Sequence, residues 1–381
     1  MILFALLQRL FGLLSFGLLG LSLWLLWSWR ALDREAELFR LDEPTHARLY
    51  WGLGLLLVCV MGRPLILLLT GRGGGMAPSA RREGVAEAGA DGARLRMEVE
   101  GCSEGPILLL THGWGLSSRI WADSRQALAE RFGVVTWDLP GTGGSTRPTQ
   151  GWSIDGFADD LSALIDRLPA DRAIILIGHS IGGMTVQTFC LRHASKLGGR
   201  VSGIVLENTT HQNPLRTMVG SDVLTRLQPL IVLMLQLDIL LSPVIWLMNW
   251  QSYFSGSTHL AMRLAGFGAR PTRAQINLSA LLPTRTSPAV QAHGNLAMIR
   301  WSVTARLSEI DVPALVIVGG RDLVTKAEAG EHIAGALPRS TLKRVADAGH
   351  MGPVEKHQTY VAAVTDFVER ITALRPMEPP A

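Results

Sequence analysis

Cysteine and charge are both scarce in this sequence, and each scarcity removes a class of function. Cys59, Cys102 and Cys190 are the only three cysteines in 381 residues. They are odd in number and far apart, so no disulfide framework follows. None stands at C-x-x-C spacing and no His/Cys cluster resembles a zinc site, so no metal and no cofactor is expected. Charged residues make up only 18% of the chain, and the formal net charge is +4. No Lys/Arg cluster is interleaved with aromatics, so nucleic acid is not an expected partner. A basic start before the first apolar run and a small-residue cleavage pattern after it are also missing, which speaks against a cleaved signal peptide.

What is abundant is apolar, 48% of the residues, and its distribution is uneven. Leu10 to Trp29 carries no charge and is long enough to cross about 30 Å of hydrocarbon as a helix. Trp24, Trp27 and Trp29 crowd its carboxyl end, where amphipathic rings favour the interface. After a polar stretch from Arg30 to Arg48, a second run begins at Leu49 with Trp51 near its start. A helical hairpin fits, with membrane lipid as a partner. Arg63-Pro64 interrupts the second run, so this segment either spans with Arg63 near the far headgroups or only inserts at the interface. With both ends inside, Arg9, Arg63, Arg72, Arg81 and Arg82 face Arg30, Arg34, Arg40 and Arg48 across the membrane. That slight bias places the remainder of the chain on the cytoplasmic side of a bacterial inner membrane.

Gly71 to Gly92, rich in Gly, Ala and Arg, reads as a flexible tether. Strand-like runs then alternate with helical patterns. Strands are expected at 94–100, Ile107–Thr111, Val134–Asp138, Arg172–Gly178, Val201–Glu207, Ala314–Gly319 and Thr341–Val345. Helices are expected around 119–132, 153–168, 181–194, 325–336 and 354–373. Short apolar strands separated by helices imply a mostly parallel sheet covered on both faces. Between Asn208 and about Arg300 the alternation stops. This insertion carries the very apolar stretch Val223–Trp250, broken by Pro229 and Pro243, with Asp238 the one charge between the prolines. That segment is too short to cross a bilayer; it reads either as a buried cap helix or as a lid facing lipid.

The chemistry gathers around Gly178-His179-Ser180-Ile181-Gly182, directly after an apolar run and before a helical pattern. This is the G-x-S-x-G of a nucleophile elbow, a sharp strand-to-helix turn that exposes a serine hydroxyl. A serine needs a base, and His350, in the turn after the last expected strand, is the histidine placed to act. His211, His259 and His293 fall in the insertion, while His332 and His357 fall on helices. The imidazole needs a carboxylate to fix its tautomer. Asp322 supplies one in the chain order Ser…Asp…His; a helix N-cap is its bland alternative, and Glu207 is the competing acid. An oxyanion hole needs two aimed N–H groups. Ile181 follows the nucleophile, and Trp114 lies in the loop His112-Gly113-Trp114-Gly115, where His112 reads as a brace.

The segment from about 93 to 372 resembles the α/β-hydrolase fold family in five places: His112-Gly113-Trp114, Asp138 to Gly143, Gly178 to Gly182, Gly320-Arg321-Asp322 and Gly349-His350. The resemblance implies an eight-stranded, mostly parallel sheet with a helical cap inserted after the sixth strand, and a purely structural Asp138–Ser145 turn. The expected layout is an anchor (1–75), a tether (76–92), a core in two parts (93–207 and 301–373), a cap (208–300) and a tail (374–381). Serine rather than an acid at position 180 argues against dehalogenases and epoxide hydrolases. Anchor plus apolar cap is similar to monoacylglycerol-lipase-like members. The expected function is thus a membrane-anchored serine esterase or lipase acting on a lipophilic acyl ester. An acyltransferase or thioesterase with the same triad, or a silent membrane scaffold, are the alternatives.

Overall fold

The computed structural model describes residues 2–39, 46–73 and 84–373. The tail at 374–381, the tether residues 76–83 and Arg40, Arg81 and Arg82 lie outside the described residues. Eight strands form one sheet: β1 (Val85–Ala88), β2 (Arg94–Gly101), β3 (Ile107–Thr111), β4 (Gly133–Trp137), β5 (Ile174–His179), β6 (Val201–Glu207), β7 (Ala314–Gly319) and β8 (Ser340–Val345). Their order is β1-β2-β4-β3-β5-β6-β7-β8. The β1–β2 and β2–β4 pairings are antiparallel, and the other five are parallel. Every residue of β3, β4 and β5 is buried, as expected of strands with helices over both faces. This is an α/β-hydrolase fold.

The tether expectation needs correction. Val85–Ala88 pairs with β2 as the edge strand, Val85 opposite Met97, and Arg72 bridges to Thr272 in the insertion. A short, exposed run with one β-branched residue has little strand propensity of its own, so β2 imposes the conformation.

The insertion after β6 is built mainly of helices. Pro229 and Pro243 each stand in the first turn of a helix, Gln228–Leu240 and Ser242–Ser255, where a missing N–H costs nothing. The two helices meet at 96°. The former is two-faced: Ile231, Leu235 and Asp238 are buried, while Leu230, Leu233, Leu237 and Leu240 are exposed. The stretch therefore buries one face, as a cap helix does, and leaves an apolar face exposed.

The two amino-terminal helices, Ile2–Phe39 and Ala47–Thr70, are long and apolar enough to cross a bilayer. The first is longer than its uncharged run, and the second continues through Pro64 without a break. Beyond the buried Ile2 and Phe4 of the first turn, their buried faces are polar or small: Gln8, Gly12, Ser15 and Ser22 on one, Gly52, Cys59 and Gly62 on the other. Ser22 Oγ donates to the Gly52 carbonyl at 2.8 Å. Leucines further along them, including Leu10, Leu13, Leu14, Leu53 and Leu57, are exposed.

The hairpin also packs on the insertion. A side chain at Gly62 would meet the Ser255 carbonyl at 2.5 Å, and Ser15 Oγ bonds Ser255 Oγ at 2.9 Å. Arg9 reaches both Asp238 oxygens, the nearest at 2.9 Å, and Asn249 at 3.1 Å. Arg63 bonds the Tyr253 hydroxyl at 3.1 Å and lies 5.1 Å from its ring centre. Phe4, 2% exposed, belongs to the main core itself. Phe4→Ala should therefore destabilise the fold by about 3–5 kcal/mol, and exposed Leu13→Ala by under about 0.5 kcal/mol. Thermal unfolding in detergent checks the pair; equal shifts would contradict a core role for Phe4.

Candidate active site

Ser180 follows β5 at φ +56° and ψ −120°, and Asn208 is the one other non-glycine residue with positive φ among those described. The turn is sharp because its flanks have no side chains. A Cβ at Gly178 would lie 2.4 Å from the Gly182 carbonyl, and one at Gly182 would lie 2.2 Å from that of Thr111. The Ser180 N–H donates to the Glu207 carbonyl at 3.0 Å, and Thr209 Oγ1 donates to the Ser180 carbonyl at 2.6 Å. Ser180 thus sits at the start of the helix Ile181–Arg192.

Three residues far apart in sequence meet here. Ser180 Oγ lies 3.1 Å from His350 Nε2, and His350 Nδ1 lies 2.9 Å from Asp322 Oδ2. All three are buried, Ser180 at 2% and His350 at 1% exposure. Asp322 Oδ1 accepts the Val324 and Thr325 N–H groups at 2.7 and 2.9 Å, and Oδ2 also accepts Thr325 Oγ1 at 2.8 Å. The carboxylate therefore closes its own loop and faces His350 at once. Burial pushes its pKa up, but the adjacent His350 and the Thr325 hydrogen bonds outweigh that and hold it below its usual value.

Ile181 opens the helix, so its N–H has no intrahelical acceptor. Trp114 is fixed by its indole: Nε1 donates to the Gln291 carbonyl at 2.9 Å, and the ring stacks on Phe157 at 5.7 Å. Any side chain at Gly294 would strike that ring at 2.1 Å. His112 braces the loop, its Nδ1 bonding the Gly113 carbonyl at 2.8 Å while Nε2 accepts the Leu139 N–H at 3.0 Å. Asp138 receives the Ser118 and Gly144 N–H groups at 2.7 and 2.8 Å, a structural role. His211 stacks on His332, His259 bonds Asn277 and His293 stacks on Trp152, all engaged elsewhere. Among the described residues, no group of three or more His, Cys, Asp or Glu is arranged to hold a metal.

Two residues essential to this geometry carried no signal in sequence reading. Asn208, at φ +45°, donates to Asp322 Oδ2 at 3.0 Å and to the Gly349 carbonyl at 2.8 Å. It also accepts the Tyr360 hydroxyl, so one amide ties the acid loop to the histidine loop. His179 contacts the His350 carbonyl through Nε2 at 2.9 Å. Burial and then the nearby His350 push its pKa down to about 3, so the ring is neutral and donates. Asn208 stands directly after an expected strand end, the one positional hint available.

Glu207, the competing acid, is buried with Oε2 unpartnered. Burial pushes its pKa from 4.5 up to about 8. A folded value raised above the unfolded one leaves stability intact below pH 4.5 and erodes it as pH rises toward 8. Glu207→Gln should remove a stability loss of about 1.4 kcal/mol per pH unit across that window. Denaturant midpoints over the pH range read this; identical slopes in both proteins would contradict a neutral buried carboxyl.

Relatives of this chain include hydrolases and esterases. The chain is 27% identical over 278 residues to "Putative carbamate hydrolase RutD" of Caulobacter segnis, covering 69% of this chain and 91% of that one. It is 27% identical over 276 residues to the pimeloyl-[acyl-carrier protein] methyl ester esterase of Chromobacterium violaceum, covering 72% and 99%. Among solved structures, a thermophilic esterase from Thermogutta terrifontis superposes with a TM-score of 0.59 at 23% identity, covering 77% and 99%. The model of the alpha/beta hydrolase family matches residues 107–364, and the chain belongs to that family.

Proposed function

We propose that this protein is a membrane-anchored serine hydrolase that cleaves a carboxylic ester with a lipophilic acyl group. The hydrogen-bonded series Ser180–His350–Asp322 carries the chemical half of this reading. In it, Ser180 Oγ attacks the ester carbonyl as His350 Nε2 takes its proton. Asp322 holds the Nδ1–H and stabilises the imidazolium, while the Ile181 and Trp114 amides receive the oxyanion. His350 then protonates the departing alcohol. Water attacks the acyl-enzyme, giving its proton to His350 and releasing the carboxylic acid and free serine.

The burial pattern of the hairpin carries the membrane half. Helices that hide serine, glycine and glutamine while exposing leucine would be unstable in water; in lipid, small and polar residues form the helix contacts and leucine faces the tails. Trp24, Trp27 and Trp51 are exposed together at the end of the hairpin far from the insertion, as interface residues are. An enzyme held there draws its ester substrate directly from the bilayer. We assign its catalytic domain to the cytoplasmic face of a bacterial inner membrane, on the arginine bias described above.

A fluorophosphonate probe should label membranes containing the wild type. Label should vanish in Ser180→Ala and His350→Ala, and Asp322→Asn should slow turnover by about 10⁴-fold. An unlabelled wild type would overturn the activated serine, and faster turnover of p-nitrophenyl acetate than octanoate would overturn the lipophilic substrate.

A further inference from the structure

The first turns of the membrane helix do not stop at the insertion's surface; they enter it. Ile2 is fully buried in a second apolar cluster with Leu215, Met218, Ile231, Leu235, Ala292 and Ile299, against which Leu3 and Leu6 also pack. Each member comes from an element with a second role. Ala292 and Ile299 lie on the helix Pro288–Arg300, whose Gln291 and Gly294 hold the Trp114 ring. Leu215 and Met218 belong to the stretch tied to the acid loop, through Val219 N to Leu323 O at 3.0 Å and Lys326 N to Thr217 O at 3.1 Å. Ile231 and Leu235 lie on the helix Gln228–Leu240, whose opposite face exposes leucines. This cluster therefore lies between the oxyanion side of the site, its acid side and the apolar outer surface.

We infer that Ile2, Leu3 and Leu6 form one wall of the acyl-chain site, so that the membrane helix itself helps to set substrate chain length. The hydrocarbon chain reaches Ser180 along the seam between this helix and Gln228–Leu240, which the Arg9–Asp238 ion pair holds at 2.9 Å. Several features favour this route. Ser180 and His350 have almost no solvent contact, whereas Ile2, Leu3 and Leu6 share one apolar cluster with Ile231 and Leu235 of the facing helix. Ile2, Leu6 and Arg9 repeat at helical spacing, so wall and clamp share one face of the helix. Apolar walls discriminate between chains by only about tenfold to a few hundredfold per methylene, which suits an enzyme grading acyl length. The inference rests on the acyl-ester reading above.

The test uses the full-length protein in detergent and a p-nitrophenyl ester series from acetate to palmitate. Ile2→Ala combined with Leu6→Ala should raise the ratio of long-chain to short-chain kcat/KM about tenfold. Ile2→Phe should lower it by a similar factor, and exposed Leu13→Ala should leave it alone. Ratios within about twofold of the wild type in both Ile2 variants, with fluorophosphonate labelling retained, would overturn the wall. A second readout needs no variant. A long-chain alkyl fluorophosphonate with a terminal diazirine, once on Ser180, should crosslink on illumination to the peptide that ends at Arg9. Crosslinks confined to peptides of the sheet core would overturn the inference while leaving the hydrolase reading intact. Failure of the wild type to take any probe would instead sink that reading, and this one with it.

Discussion

Everything in the site depends on one left-handed turn. Ser180 occupies a backbone region that costs a non-glycine residue about 1–3 kcal/mol, and it is held there by contacts that leave no room for alternatives. Gly178 lies against the backbone of Gly182, and Gly182 lies against Thr111 at the end of β3. The same approach brings the loop after β3, with Trp114, beside the loop after β5. Fully buried β3, β4 and β5 supply the rigidity that sustains the strain. The acid and histidine loops then arrive from β7 and β8, locked to one another by Asn208. A strained serine surrounded by fixed donors needs no reorganisation when charge develops.

A second constraint runs through the rest of the chain: the burial pattern inverts between the sheet and the amino-terminal hairpin. In the sheet the apolar residues are inside; in the hairpin they are outside and the serines and glycines are inside. The insertion joins the two regimes. Its inner helices hold Trp114, and its outer ones offer Asp238, Tyr253 and Ser255 to the hairpin. Hairpin and sheet are accordingly packed together, with Phe4 in the main core. The hairpin is thus part of the architecture around the site.

Much of this was legible in the residues. The strands from Ile107 to Gly319 announce themselves as short apolar runs, and Gly178 to Gly182, Asp322 and His350 follow strands in the order the chemistry requires. Pro229 and Pro243 mark helix starts, as first-turn prolines do. Other features had no local signature. Val85–Ala88 becomes a strand only because β2 offers an edge, and Pro64 stays helical within a helix packed against its neighbours. Asn208 and His179 look ordinary because their importance lies in partners far away in sequence, Gly349, Tyr360 and His350. Arg63-Pro64 reads as an interruption until Tyr253 appears beside the guanidinium. Side-chain identity reports local preference; it does not report which distant group completes a hydrogen bond.

The most direct measurement of the central claim is a rapid quench of the full-length protein, reconstituted in lipid, with a long-chain acyl ester in ¹⁸O-labelled water. Peptide mass spectrometry should find the acyl group on the Ser180 peptide alone, and the released fatty acid should carry one labelled oxygen. Turnover without an adduct at Ser180, or an acyl product without the label, would contradict the account.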